Sequence, residues 1–179
     1  MQHSAVLTQE QKKKIMDEMK FDNPMMVPKI EKVVLNIGVG EATVNKNAIA
    51  NAQEQLTLIA GQKAVVTLAK KSISTFKIRK GFPNGVKVTL RGKKMHTFLD
   101  KLIRIVIPRI KDFRGINHSA VDPGGNLNLG FSEQTIFPEI EYDKIDKIRG
   151  LQVTIVSSAR DRDTGKKLFE IIGIPFKKD

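Results

Sequence analysis

The chain has 179 residues, with 31 Lys and Arg against 19 Asp and Glu, a net charge of +12, and no Cys or Trp. No stretch approaches the ~18 apolar residues of a membrane span. The N-terminus lacks the apolar run of a signal peptide. The absence of Cys excludes disulfides, thiolate metal sites and a Cys nucleophile. With 40% hydrophobic residues, one domain over residues 1–179 can bury a core, and the composition suits a soluble intracellular protein.

Ser4 to Lys20 reads as a helix, with Lys12, Lys13 and Lys14 wet and Ile15, Met16 and Met19 packed. Asn23-Pro24 and Val27-Pro28 break it. Lys29 to Val39 reads as a strand: Val33, Leu35, Ile37 and Val39 share one face, Lys32, Val34, Asn36 and Gly38 the other. Asn45 is placed to cap a helix running to about Ala60, with Ile49, Ala52, Leu56 and Ile59 as its stripe and Gly61 as its stop. Ala64 to Ala69 is a second strand. A basic loop follows at about 70–85, with a turn near Ser72 to Phe76 and turn chemistry again at Gly81 to Gly85. Val86 to Arg91 alternates as a strand. Lys93 to Ile107 is a helix that Pro108 closes. Asn126 to Phe131 and Leu151 to Ser157 alternate again, and between them Glu133 to Asp146 is an acidic surface segment. Asp161 or Asp163 caps a last helix stopped by Gly173 and Pro175. Alternating strands point to an α+β fold: an antiparallel β-sheet with helices packed on one face and the other face open.

The charge is unevenly placed. Residues 1–60 carry 7 basic and 7 acidic side chains, residues 61–120 carry 15 and 2, and residues 121–179 carry 9 and 10. Between Glu54 and Asp100 there is no acid. Like charges without counter-charges repel, and a polyanion relieves them. The basic segment is no amphipathic helix with an apolar stripe, which argues against a membrane surface.

The outward strand positions comprise Lys32, Asn36, Lys87, Thr89, Arg91, Asn126, Asn128, Gln152 and Thr154. Cations serve phosphates, while amides and hydroxyls serve sugars and bases. The strands carry no aromatic run for stacking, so the expected target is folded RNA read by shape and polar contacts. The loop Ser74 to Gly85 interleaves Lys77, Arg79 and Lys80 with Phe76 and Phe82. Such a loop either reaches a separate RNA or folds its Phe side chains back on the core, and composition does not choose.

Catalytic and cofactor signals are missing. Gly38-Val39-Gly40 lacks the third Gly of a dinucleotide fingerprint, since position 43 is Thr. His3, His96 and His118 lack ligand spacing. Asp161-Arg162-Asp163 fits helix capping better than acid–base work. Glu139, Glu141, Asp143 and Asp146 lack a metal-ligand pattern but suit a basic protein partner. The expectation is no enzyme, no metal and no cofactor.

The run Val27-Pro28-Lys29-Ile30-Glu31-Lys32-Val33-Val34-Leu35-Asn36-Ile37-Gly38-Val39-Gly40-Glu41-Ala42 resembles the opening strand of the family of ribosomal protein five of the bacterial large subunit. The likeness continues through Ala60-Gly61-Gln62-Lys63, Phe76-Lys77-Ile78-Arg79-Lys80-Gly81-Phe82-Pro83 and Val86 to Gly92. It resumes at Asp112 to Ile116 and at Glu133-Gln134-Thr135-Ile136-Phe137-Pro138-Glu139-Ile140, covering nearly the whole chain in order. It implies a cytoplasmic, ribosome-bound protein that binds 5S rRNA through its sheet in the central protuberance, beside 23S rRNA. It also implies that Asn36, Gln62 and Thr89 contact 5S rRNA. The loop bearing Lys77, Arg79, Lys80, Gly81, Phe82 and Pro83 would meet P-site tRNA. The later loops would face a small-subunit protein across an intersubunit bridge. Asn117 to Leu127 departs from the family pattern, which has a more Asp/Gly/Arg-like turn there.

Overall fold

The computed structural model describes residues 9–19, 21, 23–43, 45, 47–111, 113–141 and 145–177. Among them are α1 (Gln9–Met19), β1 (Ile30–Gly38), α2 (Asn47–Ala60), β2 (Val65–Leu68), β3 (Pro83–Leu90), α3 (Gly92–Lys101), β4 (Leu127–Phe131), β5 (Leu151–Ser157) and α4 (Arg162–Ile172). The strands form one antiparallel sheet in the order β2-β3-β1-β5-β4, so the fold is α+β. Two compact units divide the described residues: those of 34–90 and 130–153, and those of 1–33, 91–129 and 154–177. The expected helix start at Ser4 and end at Lys20 lie outside the described residues.

In the 34–90 and 130–153 unit, period-two burial decides the strand faces. Leu35 and Ile37 on β1, and Val86, Val88 and Leu90 on β3, are buried, while Asn36 and Lys87 are exposed. α2 packs Ala52, Leu56 and Ile59 inward and lies against β3. Its start follows Asn45, whose side chain accepts the Asn47 amide at 3.0 Å. β3 begins three residues earlier than its alternation suggests and ends at Leu90, so Pro83, Asn84 and Gly85 belong to the strand. Pro is tolerated as a first strand residue. Gly85 is required because a Cβ there would sit 2.7 Å from the Ile37 carbonyl oxygen.

In the other unit, α1 packs on α4, with Ile15, Leu168 and Phe169 fully buried. The predicted helix over Lys93 to Ile107 is instead three conformations in series. α3 ends at Lys101, a π turn spans Leu102–Val106, and a 3-10 turn spans Ile107–Arg109. Pro108 is the cause: it has no N–H to give and its ring opposes the carbonyl four residues back, so the preceding turn widens. β5 occupies Leu151–Ser157 as its alternation predicts. Asn126 is a correction. It precedes β4 and is taken up locally, donating its side-chain amide to Asp122 at 3.0 Å and accepting the Ser157 amide at 3.1 Å. Asn128 likewise accepts the Thr154 hydroxyl at 2.8 Å.

α4 is capped by Asp161, whose Oδ1 accepts the Thr164 amide at 2.7 Å. Its first turn runs against the 122–126 turn, and a Cβ on Gly165 would lie 2.6 Å from the Gly125 Cα. Helix propensity favours Gly→Ala by about 1 kcal/mol. Here the clash is with backbone, so the sign reverses: Gly165→Ala is expected to lose about 1–3 kcal/mol in urea denaturation. A stabilised variant would show that the turn yields.

Candidate nucleic-acid interface

The sheet face of the 34–90 unit gathers four of the predicted residues. Val39 donates its amide to the Asn84 carbonyl at 3.0 Å, and antiparallel counting from that pair sets Lys87 across from Asn36. β2 places Val65 opposite Lys87 on the far side. Thr89 lies two residues further along the same face, half-buried. Gln62 joins them from outside any strand: its Nε2 donates to the Thr89 carbonyl at 3.3 Å.

That placement rests on the corner between α2 and β2. The Gly61 amide reaches the Thr57 carbonyl at 2.9 Å. The Thr57 hydroxyl donates to the Gln53 carbonyl at 2.6 Å and accepts the Ala64 amide at 3.0 Å. Gln53 Nε2 then donates to the Ala64 carbonyl at 2.7 Å. Gln53, Thr57 and Ala64 are positioning residues that sequence reasoning missed; the only local signal is the helix stop at Gly61 followed by a polar residue.

Lys32 and Arg91 fall in the other unit. Lys32 is half-buried on β1. Arg91 is a correction: it lies one residue beyond β3, exposed, as the extended residue before α3. It misses the strand because the chain turns into the helix at Gly92.

The basic loop is an ordered hairpin. Its base is closed by Ala69 donating to Phe82 O at 2.8 Å and Gly81 donating to Ala69 O at 2.9 Å. Ile73 and Ile78 exchange amide–carbonyl bonds of 2.9 and 3.1 Å, and Lys80 donates its amide to the Ser72 hydroxyl at 3.0 Å. Lys77 turns the tip with φ 54. Lys77, Arg79, Lys80 and Gly81 are exposed, and Phe82 and Pro83 half-buried. Phe76 is 67% exposed, so it does not fold back on the core.

The same unit holds an ion cluster that sequence reading did not find. Arg149, with its side chain 5% exposed, donates to Glu41 at 2.8 and 3.0 Å and to Asp146 at 2.7 and 2.8 Å. Lys147 adds a 2.7 Å bond to Glu41. The Arg149 amide donates to the fully buried Gln134, whose Nε2 bonds the Lys147 carbonyl at 2.9 Å and Gln55 at 3.3 Å. Asp146 was expected to be free for a protein partner and is instead spent on Arg149. The Arg149 hydrogen bonds hold the Asp146 carboxyl well below its ordinary 3.8. Lys147 first, then Arg149, lowers Glu41 from 4.5. Among the described residues no group of three or more His, Asp or Glu side chains is placed to hold a metal, and no helix is long and apolar enough to cross a membrane.

Two family profiles match the chain. The profile "Ribosomal protein L5" covers residues 23–79, and the C-terminal profile of the same ribosomal family covers residues 83–176. The large ribosomal subunit protein uL5 of Desulfotalea psychrophila is 56% identical over 162 residues, 90% of each chain. Those of Thermoanaerobacter sp. (55% over 164 residues, 92% of each) and Brevibacillus brevis (52% over 164 residues, 92% of this chain and 91% of the relative) are similar. Fold and relatives thus define a structural, non-enzymatic, RNA-binding constituent of the large ribosomal subunit, whose partner is ribosomal RNA. The chain belongs to the ribosomal protein L5 family, uL5.

The ion cluster makes a pH prediction. Both carboxylates titrate lower folded than unfolded, so their stabilisation is present above 4.5 and lost as pH falls through the folded values. Arg149→Met leaves Asp146 without its cation and Glu41 with Lys147 alone, and is expected to cost about 2–4 kcal/mol at pH 7. The gap between variant and wild type should narrow as pH falls well below 4.5 in denaturation curves; a constant gap would mean packing alone carries Arg149.

Proposed function

We propose that the protein binds 5S rRNA, with Asn36, Gln62 and Thr89 on the sheet face of the 34–90 unit reading sugars and bases and Lys87 beside them meeting phosphates, and that Lys32 and Arg91 of the other unit meet phosphates as well. The whole chain, 1–179, acts as one RNA-binding domain that attaches 5S rRNA in the central protuberance against 23S rRNA. The observation that carries this reading is the Gln62–Thr89 bond, which joins an amide from beyond α2 to the face that bears Lys87 and Asn36. The hairpin carrying Lys77, Arg79, Lys80, Gly81, Phe82 and Pro83 reaches a different RNA, P-site tRNA. Its closed base and exposed tip suit a rigid reach. Loops of the later half meet a small-subunit protein across an intersubunit bridge. The protein works in the cytoplasm, on the ribosome.

Filter-binding titrations with 5S rRNA at several salt concentrations test the reading. Wild type is expected to prefer 5S rRNA over an unrelated folded RNA, with a log–log salt slope of about −0.7 to −0.9 per phosphate met. Asn36→Ala and Thr89→Ala should each weaken 5S binding about tenfold, on the order of 1.4 kcal/mol, with the helical circular dichroism signal unchanged. Replacing Lys77, Arg79 and Lys80 by Gln should leave 5S affinity within about threefold. A large loss there, or no preference for 5S rRNA, would refute the assignment.

A further inference from the structure

The basic excess does not stop at the sheet. Residues 91–114 hold eight cations and two acids, Asp100 and Asp112. α3 and the turns after it bury Met95, Phe98, Leu99, Leu102, Val106 and Ile107. The opposite side exposes Lys93, Lys94, Thr97, Arg104, Ile105 and Arg109. The π turn shapes this side. It inserts an extra residue per turn, so Arg104 and Ile105 both face solvent while Leu102 and Val106 stay inside. Lys101 is held against the helix, its ammonium 5.4 Å from the centre of the Phe98 ring.

A purely solvating lysine face does not need an apolar centre. Here Ile105 is 45% exposed among Arg104, Pro108 and Arg109. Cations around a small apolar spot match phosphates flanking ribose. Phe98, the one Phe of α3, is buried and His96 is half-buried, so the helix offers no open aromatic platform for a single strand to stack on. Lys93 and Lys101 stand ~12 Å apart along a rigid helix, a span suited to crossing the wide, shallow groove of an A-form duplex.

We propose that the outer face of α3 and its π turn is a second RNA-docking surface, which grips the backbone of a double-stranded RNA segment. It shares no residue with the sheet reading or with the hairpin.

The test uses the full-length chain, a 24-base-pair mixed-sequence RNA duplex as the probe (about 1.5 times the ~16 base pairs that one double-stranded-RNA module covers), and 5S rRNA in parallel. Lys93→Gln/Arg104→Gln/Arg109→Gln is compared with the charge-matched Lys77→Gln/Arg79→Gln/Lys80→Gln. The α3 triple variant is expected to lose at least about tenfold in duplex affinity, to flatten the log–log salt slope by about two, and to keep 5S affinity within about twofold. The hairpin variant should lose less than about threefold on the duplex. Equal losses in the two variants would reduce the effect to net charge and overturn the proposal. So would a poly-glutamate peptide that binds α3 as tightly as the duplex does, which would mark an acidic protein partner instead. Acylation of wild-type amines gives a readout independent of variant folding: duplex should protect Lys93 and Lys94 but not Lys13 and Lys14 of α1, and unprotected Lys93 and Lys94 would overturn it. Loss of 5S preference with the α3 effect intact would sink the sheet reading alone.

Discussion

The contact on which the outward polar face of the sheet depends is the ladder between β1 and β3. Gly85 lies so close to the Ile37 carbonyl that any side chain there would collide with backbone. That close approach, with the Val39–Asn84 bond next to it, fixes the register. Register matters because strand side chains alternate: a slip of one residue would send Lys87 inward and Val88 outward. Burying an unpaired ammonium costs several kcal/mol, and exposing Val88 forfeits ~1.5–3 kcal/mol of burial. The same arithmetic that packs Val86, Val88 and Leu90 under α2 therefore delivers Lys87 and Thr89 to the solvent side. Outward face and core are two readings of one register.

Two of the acids are spent inside the fold. Glu41 and Asp146, separated by more than half the chain, converge on Arg149 and Lys147. Arg149 is nearly inaccessible, and without both carboxylates it would be an isolated buried charge. These acids neutralise an internal cation, so they are not available to the outward Lys87 or to the hairpin. Protein electrostatics thus leave the repulsion among the outward cations for an external polyanion to relieve. In the free protein the exposed cations repel one another only over the roughly 8–10 Å that salt leaves unscreened at physiological ionic strength.

What the sequence made legible follows from the range of the interactions involved. β1, β5 and the burial sides of β1, β3, β4 and β5 were readable because period-two alternation is a local property, and Val33, Leu35 and Ile37 state it without ambiguity. α4 was readable because Asp161 and Gly173 mark its ends. Gln62 was not readable as a site residue from composition: its partner, Thr89, is 27 positions away, and nothing near Gln62 announces it. Glu41 and Arg149 are separated by 108 positions, beyond any spacing rule. Asn126 looked like an outward strand residue by parity, yet Asp122 and Ser157 compete for its amide and win. Pro83 to Gly85 read as turn because Pro, Asn and Gly favour turns on average, whereas here the neighbouring strand supplies the environment that tolerates all three.

The hairpin carries the last step. A mobile basic loop would lose conformational freedom on meeting RNA, at roughly 1–2 kcal/mol for each residue ordered. The backbone bonds from Ala69 to Phe82 and between Ile73 and Ile78, together with the Lys80 amide donated to the Ser72 hydroxyl, hold this segment in the free protein. Lys77 takes a left-handed backbone to turn the tip, and it does so at an exposed position where no packing is disturbed. Phe76, two-thirds exposed beside it, loses hydrophobic burial in the free protein that a base or sugar face would restore. The free hairpin therefore carries an exposed aromatic ring and a left-handed Lys at its tip, held in place by its closed base.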